Sequence, residues 1–177
     1  MSGHSKWAQI KRQKAMTDAK KGRAFGTFAR MIAAESRNAG GDANSPALRA
    51  AIERARGINM PKENIERAIA KGKSGEGADM ETVAYEMYGP GGVAIVIDTL
   101  TDNRNRTNQE LKHLVAGAGY ALAAPGSALW AFKTLPDGAR EVQSAVELSD
   151  ENIAKLEAVV DQLEARDDVE SVSTNAQ

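Results

Sequence analysis

The chain has 177 residues, 42% of them apolar, no cysteine and a formal net charge of −1. That length suits one domain or two small ones, and zero cysteines exclude disulfides, thiolate metal sites and a cysteine nucleophile. The near-neutral total hides a polarised chain: residues 1–73 carry 16 Lys+Arg against 6 Asp+Glu, a net of +10, and residues 74–177 carry 7 against 18, a net of −11. The first part is suited to meeting a polyanion, and the second to staying in solution beside it. The longest purely apolar run, Val93 to Ile97, is far too short to span a bilayer. The N-terminus lacks the apolar stretch of a secretory signal. It is basic, but lysine outnumbers arginine and serine is sparse, which argues against a mitochondrial presequence. A cytoplasmic location without a membrane partner is the expectation.

The basic arm comes first. Lys6 to Arg30 holds eight basic residues and one acid, Asp18; a solvated helix face usually alternates sign. Residues 18–38 place Phe25, Phe28, Ala29 and Ile32 at helical spacing, and Gly40-Gly41 ends the run. Ser45 reads as an N-cap with Pro46 at N1. Leu48, Ala51, Ile52 and Ala55 form the next apolar stripe, with Gly57 at C′. Pro61 opens a third helix that turns Ile65, Ala68 and Ile69 inward, and Gly72 closes it. Three short amphipathic helices make a small bundle, whose outer faces carry Arg49, Arg54, Arg56, Lys62, Arg67 and Lys71. Residues 74–79 read as a glycine-rich linker, where the charge also changes sign.

Beyond the linker the period shortens. Thr82 to Tyr88 reads as a strand, Gly89 to Gly92 as a turn, and Val93 to Leu100 as a buried strand. Asp102 is the expected cap of a helix bearing Leu111, Leu114, Val115 and Ala118. Ala128 to Lys133 reads as a strand with Trp130 and Phe132 on one side, followed by the turn Pro136-Asp137-Gly138 and a strand from Arg140 to Val146. Ser149 caps a helix with Ile153, Leu156, Val160 and Leu163 inward, and Val169 to Ser173 is the last strand. From Val93 the order is β-α-β-β-α-β, the ferredoxin-like arrangement, with one extra strand before it.

Catalytic patterns are hard to find. His4 and His113 sit far apart, and neither belongs to a metal-binding pattern. Gly72-Lys73-Ser74 resembles the end of a P-loop, but position 67 is Arg67 rather than glycine, and a helix precedes it. Glu157 and Asp161 lie four apart on the wet face of a helix, which is ordinary solubilising charge. The expectation is no catalytic residue, no metal and no cofactor.

Two clusters point to nucleic acid. Gly3, His4, Ser5 and Lys6 precede Lys11, Arg12, Lys14, Lys20, Lys21 and Arg23; small residues permit close approach of a backbone, and cations neutralise phosphates. Trp7 among them either stacks on a base or anchors the arm to the body, and the anchor is favoured because a lone tryptophan is more often core. The second cluster is Asn103, Arg104, Asn105 and Arg106 behind Asp102, at a strand-to-helix junction. Such side chains at a helix N-terminus suit phosphate or base-edge contacts. They equally suit a capping network in which the arginines pair with nearby acids, and both readings stand.

Several segments resemble the YebC family: Gly3-His4-Ser5-Lys6-Trp7, Asp18-Ala19-Lys20-Lys21-Gly22, Asn59-Met60-Pro61-Lys62, Tyr85 to Gly92 and Thr101 to Thr107. The likeness covers residues 1–133 well and the C-terminal helix and strand more loosely. It implies a non-catalytic, nucleic-acid-binding regulator of gene expression, since family members are described as probable transcriptional regulators and relatives include a translational activator. Two departures stand out. Met87 replaces a glycine usual in the family, and a tight turn from Leu135 to Ala139 stands where longer members carry a third α/β domain.

Together these readings give an α+β protein. Residues 1–73 form a basic arm and three-helix bundle, 74–79 a linker, and 80–177 an acidic ferredoxin-like domain with one extra strand. The expected function is a DNA-binding transcriptional regulator, with a ribosome- or ribosomal-RNA-associated translational activator as the alternative. Oligomeric state is left open.

Overall fold

A computed structural model of the chain describes Lys6, Trp7, Ile10 and residues 18–75, 79–136 and 138–177. Three helices come first: α1 (Asp18–Asn38), α2 (Pro46–Gly57) and α3 (Lys62–Lys73). Their apolar stripes meet as the sequence spacing requires. Phe28, Met31 and Ile32 of α1 pack with Leu48, Ala51 and Ala55 of α2 and with Ile65 and Ala68 of α3. Helices α1 and α3 approach closely at Gly72. A Cβ there would meet the Ala33 carbonyl oxygen and lie 2.6 Å from Ser36 Cβ, while Ser36 Oγ donates to Ile69 O at 2.9 Å. Gly72 is therefore a packing residue inside α3. The helix runs on to Lys73, and the left-handed position follows at Gly75, whose φ is 77°.

The other helix ends also differ in detail from expectation. Pro46 is at the first turn of α2, but Ser45 makes no side-chain capping bond. Gly57 is the last helical residue, and the left-handed position falls on Asn59, with φ 59°. Asn59 N donates to Arg56 O at 2.9 Å and Met60 N to Ala55 O at 3.0 Å, which is a Schellman ending with its apolar contact between Met60 and Ala55.

The second part is built on a four-stranded antiparallel sheet. Strands β1 (Glu81–Tyr88) and β2 (Ala94–Thr101) are joined through a 3-10 turn at Pro90–Gly92. Helix α4 (Arg104–Gly117) and the short strand β3 (Leu122–Ala123) follow, then a 3-10 turn at Leu129–Ala131 and strands β4 (Phe132–Thr134) and β5 (Arg140–Val142). Helix α5 (Asp150–Glu164) and strand β6 (Val169–Thr174) complete the chain. The sheet order is β3-β1-β2-β6, and β4 and β5 pair only with each other.

Both faces of β2 are buried. Ile95 and Ile97 face the core made with Leu111 and Val115 of α4 and Leu156, Val160 and Leu163 of α5. Ala94 and Val96 alternate to the opposite face and pack on Ala128, Ala131 and Phe132. The two helices thus cover one face of the sheet, and the segment around β4 covers the other.

The mixed helix-and-sheet class, with helices first, agrees with the sequence reading, but the wiring of the sheet does not follow the ferredoxin-like order. The extra strand β1 pairs with β2 along its full length, from Glu81 opposite Thr101 to Tyr88 opposite Ala94. It takes the place beside β2 and leaves the middle hairpin off the sheet. The expected strand 128–133 is shortened to Phe132–Thr134 by the preceding 3-10 turn. Trp130 is 57% exposed while Phe132 is 7% exposed, so the two do not share a side. The strand expected over 140–146 stops at Val142, and Val146 forms a lone bridge to Ala176.

Candidate nucleic-acid interface

The junction after β2 is held by hydrogen bonds that the sequence left ambiguous. The N-cap is Asn103, one residue beyond the expected Asp102. Its side-chain oxygen accepts from Arg106 N at 3.1 Å. Asp102 instead accepts from the Arg106 guanidinium at 2.9 Å. The same nitrogen, Nη2, donates to Asp168 at 2.8 Å, and Nε lies 3.9 Å from Glu110. The bonds to Asp168 and Asp102 raise the Arg106 pKa above its ordinary value.

Asp168 is the centre of this cluster. It is 6% exposed and accepts from Thr107 Oγ1 at 2.6 Å, Thr101 Oγ1 at 3.3 Å and Arg30 Nη1 at 3.3 Å. Burial pushes its carboxyl up, but the bonds from Thr107 and Arg106 outweigh that penalty and hold it below the ordinary aspartate value. Arg30 Nη2 also donates to Asp167 O at 2.6 Å, so the cluster ties α1 to the loop before β6. Arg106 thus pairs with the protein's own acids, as the capping reading has it for one of the arginines, while the cap itself is Asn103 rather than Asp102.

Arg104 is different. It is exposed, and among the described residues no acid pairs with its side chain. Its backbone oxygen accepts from Tyr85 Oη at 3.3 Å. Burial raises the Tyr85 pKa, and the Arg104 charge partly opposes that rise. Asn105 is exposed beside it.

In the basic arm, Gly3, His4, Ser5, Lys11, Arg12 and Lys14 lie outside the described residues. Lys6 pairs with Asp150 at 2.5 Å. Lys20 pairs with Glu164 at 2.8 Å and approaches Asp161 at 3.6 Å. Between the lysines, Trp7 is 5% exposed and packs with Val160 and Leu163 in the core of the second part. Trp7 is therefore an anchor, and it fastens to the α/β core rather than to the bundle. The acids of α5 draw the arm onto this surface, so Lys6 and Lys20 are tethers.

Most of the remaining bundle cations divide cleanly. Arg54 pairs with Glu170 and lies 5.7 Å from the Phe28 ring centre. Arg56 pairs with Glu53 at 2.6 Å, and Lys62 lies 3.5 Å from Glu66. Lys21, Arg23, Arg49, Arg67, Lys71 and Lys73 have no acidic partner among the described residues. Lys21 and Arg23 were expected at a nucleic-acid surface; Lys73 had no assigned place in one.

No described helix is long and apolar enough to cross a membrane. Among the described residues, no group of three or more His, Cys, Asp or Glu side chains is arranged to hold a metal ion.

Residues 5–75 match the family model for the TACO1/YebC protein N-terminal domain, and residues 80–135 that for the TACO1/YebC second and third domain. The chain is 48% identical over 162 residues to a protein of Thermotoga maritima named "Probable transcriptional regulatory protein", covering 90% of this chain and 61% of the relative. A protein of the same name from Chlorobaculum parvum is 46% identical over 171 residues, covering 95% of this chain and 67% of the relative. The chain thus spans about two thirds or less of the length of these relatives. The crystal structure of a conserved hypothetical protein from Aquifex aeolicus superimposes with a TM-score of 0.78 at 32% identity, covering 98% of this chain and 97% of that one.

Proposed function

Since this chain belongs to the TACO1/YebC family, we propose that it is a nucleic-acid-binding regulator of gene expression that acts on DNA in the cytoplasm and performs no catalysis. Relatives named as transcriptional regulators support the regulatory part of this reading. The observation that carries the nucleic-acid part is the charge left over after folding. Six described cations of the bundle, Lys21, Arg23, Arg49, Arg67, Lys71 and Lys73, keep no acidic partner while the acids of α5 engage the arm. Unneutralised cations gathered on one helical unit are the electrostatic footprint of a phosphate backbone.

The test is crosslinking of the full chain in cells, followed by sequencing of what it holds. Promoter DNA is the expected recovery. Phosphate contacts carry no sequence information and fit RNA as well, so recovery of ribosomal RNA would move the function to translation. Recovery of neither would remove nucleic acid from the function. In solution, neutralising about six phosphates of duplex DNA gives a log–log salt slope near −5, and affinity indifferent to salt would contradict the proposed surface.

A further inference from the structure

A groove of about 430 Å³ runs between α1 and α3. Much of its lining is apolar, with Phe25 and Ala29 of α1, Met60 and Met80 among the residues that form it. Its rim is not. Asn64, Arg67 and Lys71 of α3 recur at three- and four-residue steps and so line one edge of the groove. Arg67 and Lys71 are exposed and have no acidic partner among the described residues. On the opposite side Arg30 and Asp102 also line it, but both are already engaged, Arg30 with Asp168 and Asp102 with Arg106.

We propose that this groove takes one unstacked base of a single-stranded nucleic acid, with the flanking phosphates on Arg67 and Lys71. The inference rests on the nucleic-acid reading above and deepens it. The volume falls in the range of small-ligand clefts. The occupant must be anionic, because the two free charges on the rim are positive. It must also be flat and apolar on its faces, because Phe25 and two methionines line the groove. The Asn64 amide offers a donor and an acceptor to the edge of a ring. A base in a duplex cannot reach such a lining, so the strand has to be single or locally opened.

Binding of the full chain to a short single-stranded DNA, to the same strand made wholly abasic, and to the duplex tests this. The intact and abasic strands carry the same phosphates, so comparing those two isolates the base, while the duplex reports binding to stacked, paired DNA. The wild-type chain is expected to bind the intact strand about tenfold more tightly than the abasic one, the effect of roughly one stacked base. Ala29→Leu, which fills the groove with a good helix former, is expected to equalise the two strands. Arg67→Gln, at an exposed position, is expected to weaken both. Equal wild-type affinity for intact and abasic strands would overturn the proposal without needing any variant to fold. If that result came with normal duplex binding, only the groove assignment would fall. If no nucleic acid bound at all, the functional reading would fall with it. An acidic, leucine-containing peptide held by the wild type and lost in Ala29→Leu, alongside indifference to bases, would assign the groove to a protein partner instead and overturn the proposal.

Discussion

Arg106 donates to Asp168 at 2.8 Å across 62 residues of chain. An arginine in the first turn of a helix opposes the helix dipole, and by itself that placement suggests a waiting anion. Here the anion is the protein's own, the buried carboxylate that also accepts from Thr107 and Arg30.

The two arginines of this junction should therefore separate by assay. Arg106→Ala should lower the melting temperature and leave nucleic-acid affinity close to unchanged. Arg104→Ala should leave the melting temperature close to unchanged and weaken binding. Thermal melts and binding isotherms of the two single variants check this, and a reversed pattern would return Arg106 to the binding surface.

Acid should destabilise the fold through two carboxylates. Asp168 and Glu86 are both held below their ordinary values. For Glu86, burial is outweighed by N–H bonds from Gly126 at 2.6 Å, Ala128 at 2.7 Å and Leu129 at 2.8 Å. A depressed folded pKa gives stability that is present above the unfolded value and lost as pH falls through the folded one. Stability should thus decline below the ordinary values, 4.5 for glutamate and 3.8 for aspartate. Asp168→Asn should flatten the lower part of that decline in a series of melts against pH, and an unchanged acid limb would contradict it.

Trp7→Ala should destabilise the chain by as much as about 3–5 kcal/mol, the range for a fully buried aromatic. Denaturant unfolding measures it. An unchanged transition would mean that the ring leaves its place against Val160 and Leu163 in solution.

Gly72→Ala should separate α1 from α3, because the added methyl meets Ser36 and the Ala33 carbonyl. Overpacking of this kind costs about 1–3 kcal/mol. At an open position such as Gly22, where a Cβ meets nothing within 4 Å, the same substitution should be neutral or stabilising, since alanine is the better helix former. Paired melts of the two variants provide the comparison.

The three N-terminal helices could be read from the sequence because their apolar residues repeat at helical spacing and short-range signals such as Pro46 mark their ends. The buried strand Ala94–Thr101 announced itself by its β-branched run. The anchoring of Trp7 was also legible, because so large an apolar side chain is rarely left in water. Other features needed the tertiary structure. Ser45 looked like a cap and makes no capping bond, while Asn59 rather than Gly57 takes the left-handed position. In each case neighbouring residues compete for one role, and packing chooses between them. Strand pairing was hidden for a related reason: a run of apolar residues says that a strand is buried, not which edge it meets, so the full-length pairing of β1 with β2 displaced the ferredoxin-like order. Charge was hidden most of all. The number of cations in residues 1–73 is plain from the sequence, but Lys6, Lys20, Arg30 and Arg54 meet acids 116 to 144 residues away. Only the fold brings those partners within reach, and so only the fold determines which cations remain for a ligand.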